Sequence, residues 1–265
     1  MPNFVVRVPK QIASLQHVVG RHVRMEQTWA DYAADAASQL AEFIHQASLP
    51  PNERKENVTI SGAVWSLRRS LPLSSNSKDD LIECSNEYWV VYTSSTKQAV
   101  LAFRGGDGGV EDAKHHLGSP ASAFLRDEDE EKIPASLPLD IVRQLGQSYA
   151  LTICGYSQGG ISALACALAV RAEAWLSQCV LMNCATVFWP PWFKQLLPED
   201  WWTNPPDFTS KITSWVVRDD FLSEGSPGNA RAPQVPGTTV VLPTCAIGSD
   251  IMKNHEFINF YDVPL

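Results

Sequence analysis

Apolar positions along this chain fall into two rhythms. Trp29, Tyr32, Ala36, Leu40 and Phe43 recur at three- and four-residue spacing with Asp31, Asp35, Gln39 and Glu42 between them, so the spacing predicts an amphipathic helix ending before Pro50-Pro51. Residues 52–57 are polar and read as a loop, and residues 64–73 follow neither rhythm clearly. Residues 88–93 and 99–103 are β-branched and aromatic, and Ser-Ser-Thr-Lys separates them, the pattern of a hairpin feeding a core strand. A short helix is expected over 139–145. Short apolar runs at 151–154, 179–184, 212–217 and 238–242 predict further strands, and an alanine-rich run at 161–170 predicts a helix between the first two. Alternation of strand, helix and strand predicts an α/β domain with a mostly parallel sheet and helices on both faces.

The junction at 155–160 carries the chemistry. Gly155-Tyr156-Ser157-Gln158-Gly159-Gly160 sits between a predicted strand and a predicted helix, the setting of a nucleophile elbow. Such a turn strains the serine backbone, and a Cβ at Gly155 or Gly159 would collide with the strand or the incoming helix. The turn lifts the Ser157 hydroxyl above the sheet edge and places the Gln158 N–H at a helix N-terminus, where it can donate to a developing oxyanion. Gly-x-Ser-x-Gly alone also occurs in ordinary surface turns. Here the flanking elements give it weight.

A serine hydroxyl needs a base within hydrogen-bond reach, and the base needs an acid to fix its tautomer. The strand at 212–217 delivers Asp219 and Asp220, and beyond the last strand stands His255, which gives the order Ser, Asp, His expected of this architecture. Asp220 is the favoured acid and Asp219 the alternative. The strand at 99–103 runs into Arg104-Gly105-Gly106-Asp107-Gly108-Gly109, whose glycines let backbone amides approach a ligand, making the Gly106 N–H the candidate second oxyanion donor. A phosphate cradle fits less well, because no Gly-Lys-Ser/Thr follows. Glu111, Asp112, His115 and His116 could pair across a helical turn on a metal, but solvated side chains explain them more simply. No metal or cofactor is expected.

Residues 188–208 hold Trp189, Trp192, Trp201 and Trp202 among five prolines. They read either as an aromatic cap over the site, with Trp189, Trp192 and Tyr156 contacting substrate, or as a packing or oligomer surface.

Composition narrows the setting. The 265 residues, 45% of them apolar, suffice for one sizeable core, and the formal charge of −8 argues against nucleic acid as a partner. No apolar run is long enough to span a bilayer and no secretory signal is visible near the N-terminus, so a cytoplasmic enzyme is expected. The six cysteines show no metal spacing, and Cys154, Cys166, Cys179 and Cys184 fall in apolar runs as buried, unpaired thiols.

Phe103-Arg104-Gly105-Gly106, the elbow, a late Asp after a strand and a near-terminal His together resemble the class 3 (fungal-type) lipases of the α/β-hydrolase fold. Tyr156 stands where that family has His and Gly106 where it has a hydroxyl residue, while Gly-Tyr-Ser-Gln-Gly is similar to the cutinase elbow. The resemblance implies a single α/β-hydrolase domain that hydrolyses carboxylic esters or lipids through an acyl-enzyme, without a cofactor. A thioesterase or acyltransferase would share that intermediate. A hydrolase fold reused as a receptor or scaffold is the non-enzymatic alternative.

Overall fold

A computed structural model of the protein describes residues 39–72, 81–106, 137–186, 196, 207–217, 220, 222–223, 235–242 and 255–256. The first described element is a helix, α1, over residues 39–48. Strands β1 (Asn57–Ile60) and β2 (Ala63–Arg68) follow. Their two-residue connection is a tight antiparallel turn in which Ser61 (φ 50°) and Gly62 (φ 77°) both take positive φ, matching the twist of the flanking strands. Next come β3 (Ser70–Pro72), β4 (Leu81–Glu83), β5 (Trp89–Ser94) and β6 (Gln98–Phe103). The expected hairpin is therefore present, turned by three residues with Lys97 at φ 57°. Helix α2 (Leu139–Gly146) leads to β7 (Ala150–Tyr156), helix α3 (Gln158–Ala169) and β8 (Leu176–Met182). A 3₁₀ turn (Asp207–Lys211), β9 (Ile212–Val217) and β10 (Thr238–Leu242) complete the described elements.

Eight of these strands form one sheet in the order β1-β2-β5-β6-β7-β8-β9-β10, while β3 and β4 pair separately. β6 to β10 are mutually parallel and the β1, β2 and β5 pairings are antiparallel. The consequence for function is geometric. Phe103 lies opposite Gly155, Tyr156 opposite Met182 and Val217 opposite Leu242, so the carboxyl ends of the parallel strands share one edge. In open α/β sheets that edge is where loops from different strands meet around a ligand.

Strands β6 to β9 divide their side chains between two cores, because successive residues point to opposite faces. Leu101, Phe103, Leu151, Ile153 and Leu181 pack under α2 and α3. Val100, Ala102, Cys154, Val180 and Met182 pack on the other side, against Leu40, Phe43 and Ile44 of α1. Helices thus cover both faces. α3 is apolar nearly all round and is buried from Gly159 through Leu168, as a helix with no polar face must be. α2 is amphipathic: Ile141, Val142 and Leu145 are buried, whereas Asp140 and Arg143 face solvent. Burying one such aliphatic side chain stabilises the fold by about 1.5–3 kcal/mol.

Polar anchors tie α1 to the sheet. The Arg54 guanidinium, 4% exposed, donates to the carbonyls of Ala47 and Leu49, which the end of α1 leaves without intrahelical partners, and to that of Trp89 at the start of β5. Burial lowers its pKa to about 10. Tyr92, fully buried, donates to the Lys55 carbonyl at 2.6 Å, and burial raises its phenol to about 12.

The structure corrects the sequence reading at several boundaries. The mixed stretch 64–73 contains β2 and β3, its alternation hidden because Val64, on the outward face, is itself apolar and 54% exposed. Asn57 starts β1 instead of ending a loop. β8 runs from Leu176 to Met182 and not to residue 184, because Asn183 turns to φ 42° and sends its N–H to the Trp215 carbonyl. Residues 107–136, with the acid–histidine pairs, and 188–195, with Trp189 and Trp192, lie outside the described residues, as do Trp201 and Trp202. No described helix is long and apolar enough to cross a membrane.

Cys84, Cys154, Cys166, Cys179 and Cys184 are free and fully buried. Burial pushes the Cys84 thiol up to about 12 and raises those of Cys154, Cys166 and Cys179 as well, which suppresses the reactive thiolate. Ellman's reagent is therefore expected to leave these five silent in the native protein and to titrate them rapidly after denaturation. Prompt reaction of two or more thiols in the native state would contradict that burial.

Candidate active site

The site is assembled at the carboxyl edge from four chain segments. The first is the end of β7, where Ser157 takes φ 53° and ψ −123°, a conformation costing roughly 1–3 kcal/mol for a residue with a side chain. Surrounding contacts fix it there. The Ser157 N–H donates to the Met182 carbonyl at 3.0 Å, and the Ser157 carbonyl accepts from the N–H groups of Gly160 (3.0 Å) and Ala185 (3.1 Å). The two elbow glycines are needed for space. A Cβ on Gly155 would run into the Gly159 backbone, and one on Gly159 into the carbonyl of Arg104, so strand, helix and the Arg104–Gly105 loop meet backbone to backbone.

The second segment follows β9. Asn183 prepares it: its Oδ1 accepts from the Val217 N–H at 2.8 Å while its own N–H donates to the Trp215 carbonyl, joining the end of β8 to the last residues of β9. Three residues later Asp220 is fully buried, its N–H bonded back to the Val217 carbonyl at 3.1 Å. Its carboxylate accepts from the Leu222 N–H (3.1 Å) and the Ser223 hydroxyl, so its acceptor positions are filled by local donors, as a buried carboxylate requires.

His255, on a 3₁₀ turn beyond β10, is the third. Its Nδ1 lies 2.9 and 3.0 Å from the two Asp220 oxygens, and its Nε2 lies 2.8 Å from Ser157 Oγ. Since a carboxylate only accepts, Nδ1 carries the proton, and the Nε2 lone pair faces the serine hydroxyl. Ser157 and His255 are 5% and 6% exposed, so solvent competes weakly for these bonds.

The fourth segment is the loop after β6. A Cβ on Gly105 would lie 3.4 Å from Ser157 Cβ, which puts Gly106 one residue from contact with Ser157. Gln158 opens α3, where an amide has no carbonyl one turn earlier to bond within the helix. Arg104 itself points elsewhere: it donates to the carbonyls of Glu87 (2.7 Å) and Gly105 (3.2 Å) and lies 5.1 Å from the Tyr88 ring centroid.

Of the residues expected at the site, the structure therefore brings Ser157, Asp220 and His255 into one hydrogen-bonded chain, with Gln158 and the Gly105–Gly106 loop beside it. Tyr156 is adjacent, with its hydroxyl donating to the His255 carbonyl. Asp219, Trp189 and Trp192 lie outside the described residues. Asn183, Ala185, Leu222 and Ser223 were missed. Only Ser223 left a sequence signal, a hydroxyl residue three positions after an aspartate that can close a local turn on it. No group of three or more metal-ligating side chains is placed to hold an ion among the described residues. No protein-family model matches the chain, and no curated protein matches it.

Proposed function

We propose that this chain is a serine carboxylester hydrolase with an α/β-hydrolase fold, acting on a small ester or lipid through an acyl-enzyme. The observation that carries the reading is the continuous chain Ser157 Oγ, His255 Nε2, His255 Nδ1 and Asp220, built from segments far apart in sequence. In acylation, Ser157 Oγ attacks the ester carbonyl carbon as its proton passes to His255 Nε2. The carbonyl π electrons move to oxygen, and the resulting oxyanion accepts from the Gln158 and Gly106 amides. Collapse expels the alkoxide, which takes the proton from His255 and leaves as the alcohol. Water then repeats the sequence on the acyl-enzyme, giving up its proton to His255 and releasing the acid. Asp220 stays ionised throughout, holding the imidazole in its tautomer and stabilising the imidazolium. These steps use only the chain's own groups and water. The five unpaired thiols fit a reducing compartment.

A fluorophosphonate probe tests the reading, because it phosphonylates a serine only when a base activates it. We expect stoichiometric labelling of the native protein, with the added mass on the peptide containing Ser157. An unlabelled native protein would leave the hydrolase-like fold as a binding scaffold. A panel of p-nitrophenyl esters from acetate to palmitate then reports acyl preference, and transfer to an added alcohol or thiol would favour the acyltransferase variant.

A further inference from the structure

Resting on that reading, we infer that Tyr156 is a positioning residue that holds His255 in line with Ser157, a role different from the substrate contact its sequence position suggests. Tyr156 and Ser157 are neighbours in the chain, Ser157 Oγ meets His255 Nε2 at 2.8 Å, and the His255 carbonyl accepts from the Tyr156 hydroxyl. The three contacts close a ring. One residue thus carries the nucleophile on its carboxyl side and fixes the backbone of the base through its side chain. His255 lies outside the strand ladder that positions Ser157, so an anchor to the elbow strand converts a loop histidine into one registered against the sheet.

The tyrosine is itself tightly placed. Its ring centroid is 5.4 Å from that of His255, inclined by 31°. A Cβ on Gly105 would approach Tyr156 Cδ1 and Cε1 to 2.6 and 2.9 Å, so the glycine of the Arg104–Gly105 loop leaves the space that the ring fills. Burial, followed by the nearby charges of Asp220 and Glu256, raises the phenol pKa, which keeps the hydroxyl protonated and therefore a donor. That single proton is committed to the His255 carbonyl.

Tyr156→Phe keeps the ring and removes only the hydroxyl. For p-nitrophenyl butyrate we expect kcat to fall between about tenfold and a hundredfold, as a base slightly out of line demands, with KM changed by less than about twofold. The thermal midpoint should stay within a few degrees. Independently of turnover, proton NMR should show the His255 Nδ1–H resonance at low field in the native protein, and that line should broaden or vanish in the variant. A raised KM at unchanged kcat would mean that the hydroxyl reads substrate. Unchanged kinetics and an unchanged resonance would mean that it is idle, and a kcat loss explained by a lowered unfolding midpoint would make it merely structural. Each overturns the inference. Should the native protein resist fluorophosphonate, the hydrolase reading fails by itself, and the NMR comparison alone then judges the anchor: loss of the line supports it and persistence refutes it.

Discussion

Ser157→Ala is expected to lower p-nitrophenyl ester turnover by roughly 10⁴-fold or more while the protein stays folded. The magnitude follows from what the substitution removes. In the proposed mechanism the Oγ, 2.8 Å from His255 Nε2 and next to the α3 amide terminus, is the attacking atom, and no other described residue is seen to combine both placements. Alanine fits the same site, and the strained backbone at φ 53° is held by bonds from Met182, Gly160 and Ala185 that do not involve the side chain. Thermal unfolding and circular dichroism should therefore be close to native. Since in the proposed mechanism Ser157 and His255 act in one proton transfer, Ser157→Ala combined with His255→Ala should lose little more than either alone. Activity retained to within a few-fold would place the reaction elsewhere in the molecule, and multiplicative losses would show that the two residues work separately.

Asp220→Asn is expected to cost about 10⁴-fold in kcat with little change in size or packing. Asparagine must present its amide N–H₂ on one side. Leu222 N–H fixes an acceptor at Oδ1, whereas the Ser223 hydroxyl can rotate to accept, so the amide nitrogen settles at the Oδ2 position, 3.0 Å from His255 Nδ1. Two donors cannot face each other. Nδ1–H is left with only Oδ1, 2.9 Å away and already shared with the Leu222 N–H, so the tautomer protonated on Nε2 gains population, and in it an N–H faces the serine where a lone pair was needed. Steady-state kinetics with the ester panel, together with the rate of fluorophosphonate labelling, should fall in parallel. Near-native rates in Asp220→Asn with a large loss in Asp219→Asn would transfer the role to the neighbouring acid.

How much of this was legible beforehand depended on whether the signal was local. The hairpin of β5 and β6, the strand β9 and the elbow each carry their cause within a dozen residues: alternation, turn composition, and glycines where backbones touch. The chain order of serine, aspartate and histidine was likewise readable, because order is a property of sequence. Less visible were β1 and β2, where Val64 points outward and blurs the alternation, and the end of β8, where Asn183 leaves the strand to bond across to β9. Nothing adjacent in the chain announces either event.

Sequence by itself determined that a strained serine would sit between a buried strand and a buried helix, since Gly155 and Gly159 flank it where an apolar run passes into an alanine-rich one. Tertiary structure alone decided which acid meets the imidazole and what holds the histidine. Those matters turn on hydrogen bonds between residues 35 to 99 positions apart, and such contacts are set by the parallel register of β6 to β9 and by the loops it brings to a common edge. Side-chain type states which bonds a residue can make; only the packed sheet fixes which ones it does make.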